Sequence, residues 1–184
     1  FSTVPVEVIL AAGLVPVDLN NLFVTHRDPG MLLRQADVLG LPRNSCAWTR
    51  GLFGATVGLD FRRVVSVPRG DCSNNAAMAG LLRQRGIEVV EFNFPIAGPD
   101  RHGQMALELH RFGAELGVSE AKVESAFEAV RPVRELLARV DRANWAEGRV
   151  PGSVARACLL RSTDMGGNLL LFQRRLEKVL ADHE

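Results

Sequence analysis

The stretch RVVSVPRGDCSNNAAMAGLLRQRGIEVVEFNF, residues 63–94, decides the architecture. It opens on a β-branched run, Arg63–Val67, which Pro68–Gly70 stops. Ser73–Arg85 follows with Ala77, Met78, Leu81 and Leu82 on one helical face. Ile87–Phe94, rich in Val and Phe, is the next strand. Strand, helix and strand within about thirty residues is the usual size of a βαβ crossover. Such units build parallel sheets with right-handed connections.

Upstream, Pro5 suits the first turn of a helix over Val6–Ala12, ended by Gly13. Leu14–Leu19 reads as a buried strand and Leu22–Thr25 as a second, short one. Asp28 and Pro29 are a cap and first helical residue for Met31–Leu39, with Gly40 closing it. Leu41–Ser45 is a loop, and Ala47–Val57 carries a helical pattern through Trp48, Leu52, Phe53 and Val57. Downstream the character changes. Gln104–Leu116 is a helix, and Ser119 caps another whose stripe is Val123, Ala126, Phe127 and Val130. Pro132 is expected to break or kink it before Val133–Trp145. Val154–Arg161 and Asn168–Ala181 are the last helices, separated by Asp164–Gly167. The expected fold is α/β: a Rossmann-like three-layer domain with a small parallel sheet at 1–98, then a helical segment at 99–184.

Composition narrows the function classes. The 184 residues are 47% hydrophobic and 23% charged, the balance of a globular protein. Lys and Arg number 22 against 21 Asp and Glu, a formal charge of +1. That gives no reason to expect a nucleic-acid partner. The longest apolar runs, such as Val8–Val17, contain Gly13 or Pro16 and are too short to span a bilayer, so no membrane partner is expected. No basic segment precedes an apolar one, so no secretory signal is read. The chain opens on Phe1 and not Met, which is expected where residues have been trimmed, cleaved or left out of the numbering. Three cysteines make a disulfide scaffold unsuitable, and a reducing cytoplasm fits better.

Two of those cysteines stand in comparable places. Cys46 lies in Arg43-Asn44-Ser45-Cys46-Ala47-Trp48-Thr49-Arg50-Gly51, directly ahead of a helix. Cys72 lies in Arg69-Gly70-Asp71-Cys72-Ser73-Asn74-Asn75, between a strand and a helix. At a helix N-terminus, unpaired N–H groups and the positive end of the dipole favour a thiolate, the form that ligates iron or zinc. Cys72 also follows the carboxyl end of a parallel strand, where open α/β sheets bind ligands. Their spacing of 26 residues is no zinc-finger signature. From the spacing, a shared metal centre and two half-buried structural cysteines both stand. Cys158, within an apolar helical stretch, reads as a packed core residue.

The neighbouring side chains carry further candidate roles. Arg50, one turn past Cys46, is either a countercharge or phosphate ligand, or a solvated surface arginine. Asn44, Ser45 and Ser73 are candidate hydrogen-bond donors beside a thiolate-held centre, and Asn44 and Ser45 are equally candidate helix caps. Asp71 shapes the turn or supports the site, and Arg43 and Arg69 flank the cysteines as a positive rim. His26, His102, His110 and His183 share no metal-ligand spacing. There is no GxGxxG, P-loop, GxSxG or HExxH. Trp48 reads as core.

Four pieces together carry a family resemblance. They are Pro5-Val6-Glu7-Val8-Ile9-Leu10-Ala11-Ala12-Gly13-Leu14-Val15-Pro16-Val17; Leu41-Pro42-Arg43-Asn44-Ser45-Cys46 with Arg50-Gly51 and Gly54; Gly70-Asp71-Cys72-Ser73-Asn74-Asn75; and Glu91-Phe92-Asn93-Phe94-Pro95. In order and spacing the chain resembles the 2-hydroxyacyl-CoA dehydratase D-component family, which includes benzoyl-CoA reductase subunits. The resemblance implies two Rossmann-like halves plus helices, with a [4Fe–4S] cluster between the halves on three cysteines. It implies a separate ATP-dependent activator protein that injects one electron. The electron enters an acyl-CoA substrate, giving a ketyl radical anion that expels the 2-hydroxyl group or leads to ring reduction, a chemistry of anaerobic metabolism.

Residue by residue, Cys46 and Cys72 match two of the family's cluster-ligand positions. The third ligand is expected from a second α/β half or a partner subunit, because this chain matches only the first α/β domain and the helical segment after it. A fragment, one piece of a split protein, or a shortened relative is the corresponding expectation. The open cluster face implies an empty or partly filled site in air, and self-association into a homo-oligomer through uncovered apolar surface. A cluster-less scaffold of the same fold and a zinc-thiolate protein are the alternatives.

Overall fold

The computed structural model describes residues 4–95 and 98–184; Phe1 lies outside them. The chain forms two compact units, one of Leu19–Glu115 and the other of Pro5–Asp18 with Leu116–Glu184. No helix among the described residues is long and apolar enough to cross a membrane.

The first unit contains helices α2 (Leu19–Thr25), α3 (Pro29–Val38), α4 (Ala47–Gly58), α5 (Ser73–Gln84) and α6 (Arg101–Glu115), with strands β1 (Arg63–Ser66) and β2 (Glu88–Glu91). The βαβ reading of residues 63–94 holds. β1 and β2 pair in parallel, Arg63 against Glu88 through Ser66 against Glu91, with α5 between them in sequence. Asp28 caps α3 as expected, its carboxylate accepting the Met31 N–H at 2.9 Å, and Pro29 follows as the first helical residue. Phe23, Leu32, Leu52, Phe53, Val64, Leu82 and Val89 share one core, so the sheet packs with its helices. Among the described residues the sheet has two strands, and the unit is α/β with helix predominating.

Two expected strands are absent. Residues 14–18 belong to no strand or helix, and helix α2 begins at Leu19. Pro16 has no N–H to give a ladder, and Leu14, Val15 and Val17 are exposed, so this is not a buried strand. Its polar ties run to side chains instead: the Asp18 N–H donates to Asp164 Oδ2 at 3.1 Å, and the Thr163 hydroxyl donates to Asp18 Oδ2 at 2.5 Å. Leu22–Thr25 is helical. Leu19, Leu22 and Phe23 follow the i, i+3, i+4 rule and pack against the core of this unit.

The second unit holds α1 (Val6–Ala11), α7 (Glu120–Trp145), α8 (Gly152–Arg161), a 3₁₀ turn (Met165–Gly167) and α9 (Leu169–Ala181). Pro132 sits inside α7 without ending it. The buried stripe Val130, Val133, Leu136, Leu137, Val140 and Ala143 runs straight through. Keeping it in one core offsets the roughly 3 kcal/mol an internal proline costs. α1 packs on α7, where Glu7, only 2% exposed, is paired with Arg134; Arg134 Nε donates to its Oε1 at 2.8 Å.

Candidate functional site

Cys46 and Cys72 occupy the N-cap positions of α4 and α5, and both are exposed. Each helix leads into a strand through a short connection, residues 59–62 after α4 and 85–87 after α5. The two strands are parallel and in register. Both helices therefore end beside the amino ends of the strands they lead into. α4 and α5 also pack on each other. Each thiol thus opens a helix that leads into one of the two paired strands.

Cys46 is electrostatically prepared. The backbone N–H of Thr49, then that of Trp48, hold its thiol below the ordinary range; slight burial opposes this and the Thr49 hydroxyl adds to it. The helix that supplies those N–H groups is packed closely. A side chain at Gly51 would strike the Phe23 ring, and one at Gly54 would strike the Leu32 carbonyl. The glycines of the Arg50-Gly51 and Gly54 motif therefore let α2 and α3 press against α4. Trp48 is half-buried, its ring edge-on to Phe23 at 5.5 Å and its Nε1 donating to Asn20 Oδ1 at 2.6 Å.

The Cys72 loop is built from backbone. The Phe92 N–H donates to the Ser66 carbonyl at 2.9 Å, and the Phe94 N–H to the Arg69 carbonyl at 3.0 Å, which extends the parallel pairing past the strand ends. Gly70 has φ +90°, and a Cβ there would stand 2.5 Å from Phe94 Cβ. Only glycine meets both demands. Asp71 Oδ1 accepts the Cys72 N–H at 2.8 Å, and its Oδ2 accepts from Asn75 Nδ2 at 3.0 Å. Asp71 shapes the turn that presents Cys72.

Around Cys46 the candidates separate. Arg50 is not a solvated arginine: its side chain is 14% exposed and paired with Asp37, while Arg43 and Arg69 are exposed. Asn44 and Ser45 precede the cap, which falls on Cys46, so neither caps α4. Ser73 is exposed at the first position of α5. Cys158 packs against the core of the second unit, and burial raises its thiol above the ordinary range. Asp37 is the residue sequence reading missed. Its partners lie 6 and 13 positions away on a loop and another helix, so no local spacing announces it.

A family model for 2-hydroxyglutaryl-CoA dehydratase, D-component, matches residues 1–184. The chain belongs to that family. No curated protein and no solved structure matches it significantly. In this D-component relative, the family's motif segments have distinct physical tasks. One glycine pair seats α4, Gly70 seats the Cys72 loop, and each cysteine stands at the N-cap position of a helix. Among the described residues, no group of three or more His, Cys, Asp or Glu side chains is set to hold a metal ion.

Proposed function

We propose that Cys46 and Cys72 are two of the ligands of a [4Fe–4S] cluster in a dehydratase component acting on an acyl-CoA thioester. The observation that carries this reading is the pair of exposed thiols, each at the N-cap position of a helix that leads into one of two parallel, paired strands. The donor set suits the group: thiolates ligate iron, and the Thr49 and Trp48 N–H groups favour the charged form of Cys46. When bound, such a cluster would supply one-electron chemistry at low potential toward the thioester.

The chain's own residues have definite parts in this reading. Cys46 and Cys72 hold the cluster. Asn44, Ser45 and Ser73 stand next to them as hydrogen-bond donors to its sulfides. Arg43 and Arg69 form a positive rim for an anionic thioester. Arg50, buried against Asp37, supports the Cys46 loop instead of reaching for a phosphate. The third ligand, a second α/β half or partner subunit completing a Rossmann-like three-layer pair, and an ATP-dependent activator protein belong to the same proposal, as does self-association of the chain. A zinc site closed by this chain alone is not favoured, since structural zinc takes four protein ligands and no three donors cluster among the described residues.

Anaerobic treatment of the chain with iron and sulfide tests the reading. Broad visible absorption, and an EPR signal after reduction, are expected for the parent chain and not for Cys46→Ala or Cys72→Ala. No absorption and no signal from the parent would sink it. Zinc found by elemental analysis would favour the zinc-thiolate alternative.

A further inference from the structure

Two arginines bracket Cys46 in sequence, Arg43 three residues before it and Arg50 one helical turn after it. Both converge on Asp37, a carboxylate of the neighbouring helix α3. Arg50 Nη2 pairs with Asp37 Oδ1, Arg43 Nε lies 3.3 Å from Asp37 Oδ2, and Arg50 Nη1 donates to the Arg43 carbonyl at 3.3 Å. The Asp37 side chain is 17% exposed and uses both oxygens, while Arg43 reaches in from solvent at 86%. Two guanidiniums held this close repel each other unless a carboxylate lies between them. Asp37 thus joins the loop ahead of Cys46 to the helix behind it.

The two cysteine loops differ in what fixes them. The Cys72 loop is tied by backbone hydrogen bonds to the segment after β2. In the Cys46 loop, Pro42, Arg43 and Asn44 are exposed, and a local backbone bond runs from the Ser45 N–H to the Pro42 carbonyl at 2.9 Å. Arg43 and Arg50 tie it to α3 through their side chains.

We infer that Asp37 is a positioning residue for the Cys46 thiol, clamping Arg43 and Arg50 on either side of it and so setting where the loop presents its sulfur. The inference rests on the proposed role of Cys46 as a ligand. It predicts that losing the Asp37 charge disturbs Cys46 and leaves Cys72, on its backbone-tied loop, as it was.

The full chain, Asp37→Asn, Asp37→Glu and Cys46→Ala are compared in two ways. In the iron-free chain, alkylation rates of Cys46 and Cys72 are read by mass spectrometry within one molecule. After anaerobic reconstitution, iron retention against a chelator and the EPR line shape are followed. Asp37→Asn is expected to shift the Cys46-to-Cys72 rate ratio at least three-fold, lose iron at least five-fold faster and alter the EPR signal. Asp37→Glu is expected to restore all three toward the parent. An unchanged ratio in Asp37→Asn overturns the inference, whatever happens to iron. So does a variant that fails to fold, because the role would then be general scaffolding. A shifted ratio in a chain where Cys46→Ala retains iron like the parent leaves the positioning standing and removes the ligand reading instead.

Discussion

At the scale of single residues, three thiols of one chain sit in three environments. Cys46 is held below the ordinary thiol value of 9.0 by the Thr49 and Trp48 N–H groups; Cys158 is pushed above it by burial. For Cys46 the folded value is depressed. Its thiolate therefore contributes stability above the unfolded value, and this is lost as pH falls through the folded one. For Cys158 the folded value is raised. Its contribution is present below the unfolded value and lost as pH rises through the folded one. Iodoacetamide alkylation followed against pH is expected to reach half its maximum rate at lower pH for Cys46 than for Cys158; the reverse order would contradict the assignment. Substitutions separate ligand from core in the same way. Cys72→Ala is expected to abolish iron binding with the melting temperature unchanged, because the residue is exposed. Cys158→Ser is expected to cost about 1–2 kcal/mol through a poorly partnered hydroxyl, with iron content unchanged. If Cys158→Ser lost iron as fully as Cys72→Ala, Cys158 would be a third ligand.

At the scale of elements, glycine decides how closely α4 is packed. Gly54 admits the Leu32 carbonyl where a Cβ would otherwise stand, whereas Gly80 in α5 has open space around its Cβ position. Gly54→Ala is expected to lower stability by about 1–3 kcal/mol, since overpacking against backbone outweighs the gain in helix propensity. Gly80→Ala is expected to raise stability by about 0.5–1 kcal/mol. Urea denaturation of the two variants checks this, and a stabilised Gly54→Ala would show that α3 and α4 yield easily. Helix starts were legible from local chemistry, as Asp28-Pro29 shows. α2 was not: its seven residues carry too few turns for period 3.6 to stand out from a short β-branched run, and burial of Phe23 against Trp48 settles it.

At the scale of the whole molecule, sequence distance and spatial grouping part company. Helix α1, at the start of the chain, joins the unit formed by residues 116–184, through Glu7 and Arg134, 127 positions apart. Arg134→Ala leaves the Glu7 carboxylate buried without its cation, at a cost of about 3 kcal/mol. Hydrogen exchange is expected to quicken at least ten-fold in α1 and the middle of α7, with the amides of α4 and α5 unchanged. Equal acceleration in both units would mean that they unfold as one.

Of the stripe read at Val123, Ala126, Phe127 and Val130, only Val130 is buried, and Phe127 is 54% exposed. The sequence by itself determined the parallel βαβ layer, the helix that begins at each of Cys46 and Cys72, and the helical spacing over 133–145. All of these rest on interactions within a few residues or on one uninterrupted period. Tertiary structure alone decided that Pro132 stays inside α7, that residues 14–18 pair with no strand, and that Arg50 is spent on Asp37. Each of those outcomes depends on what a distant segment places alongside: a continuing core stripe, the Asp164 carboxylate, or a helix carrying the opposite charge. Local propensity has no term for any of them.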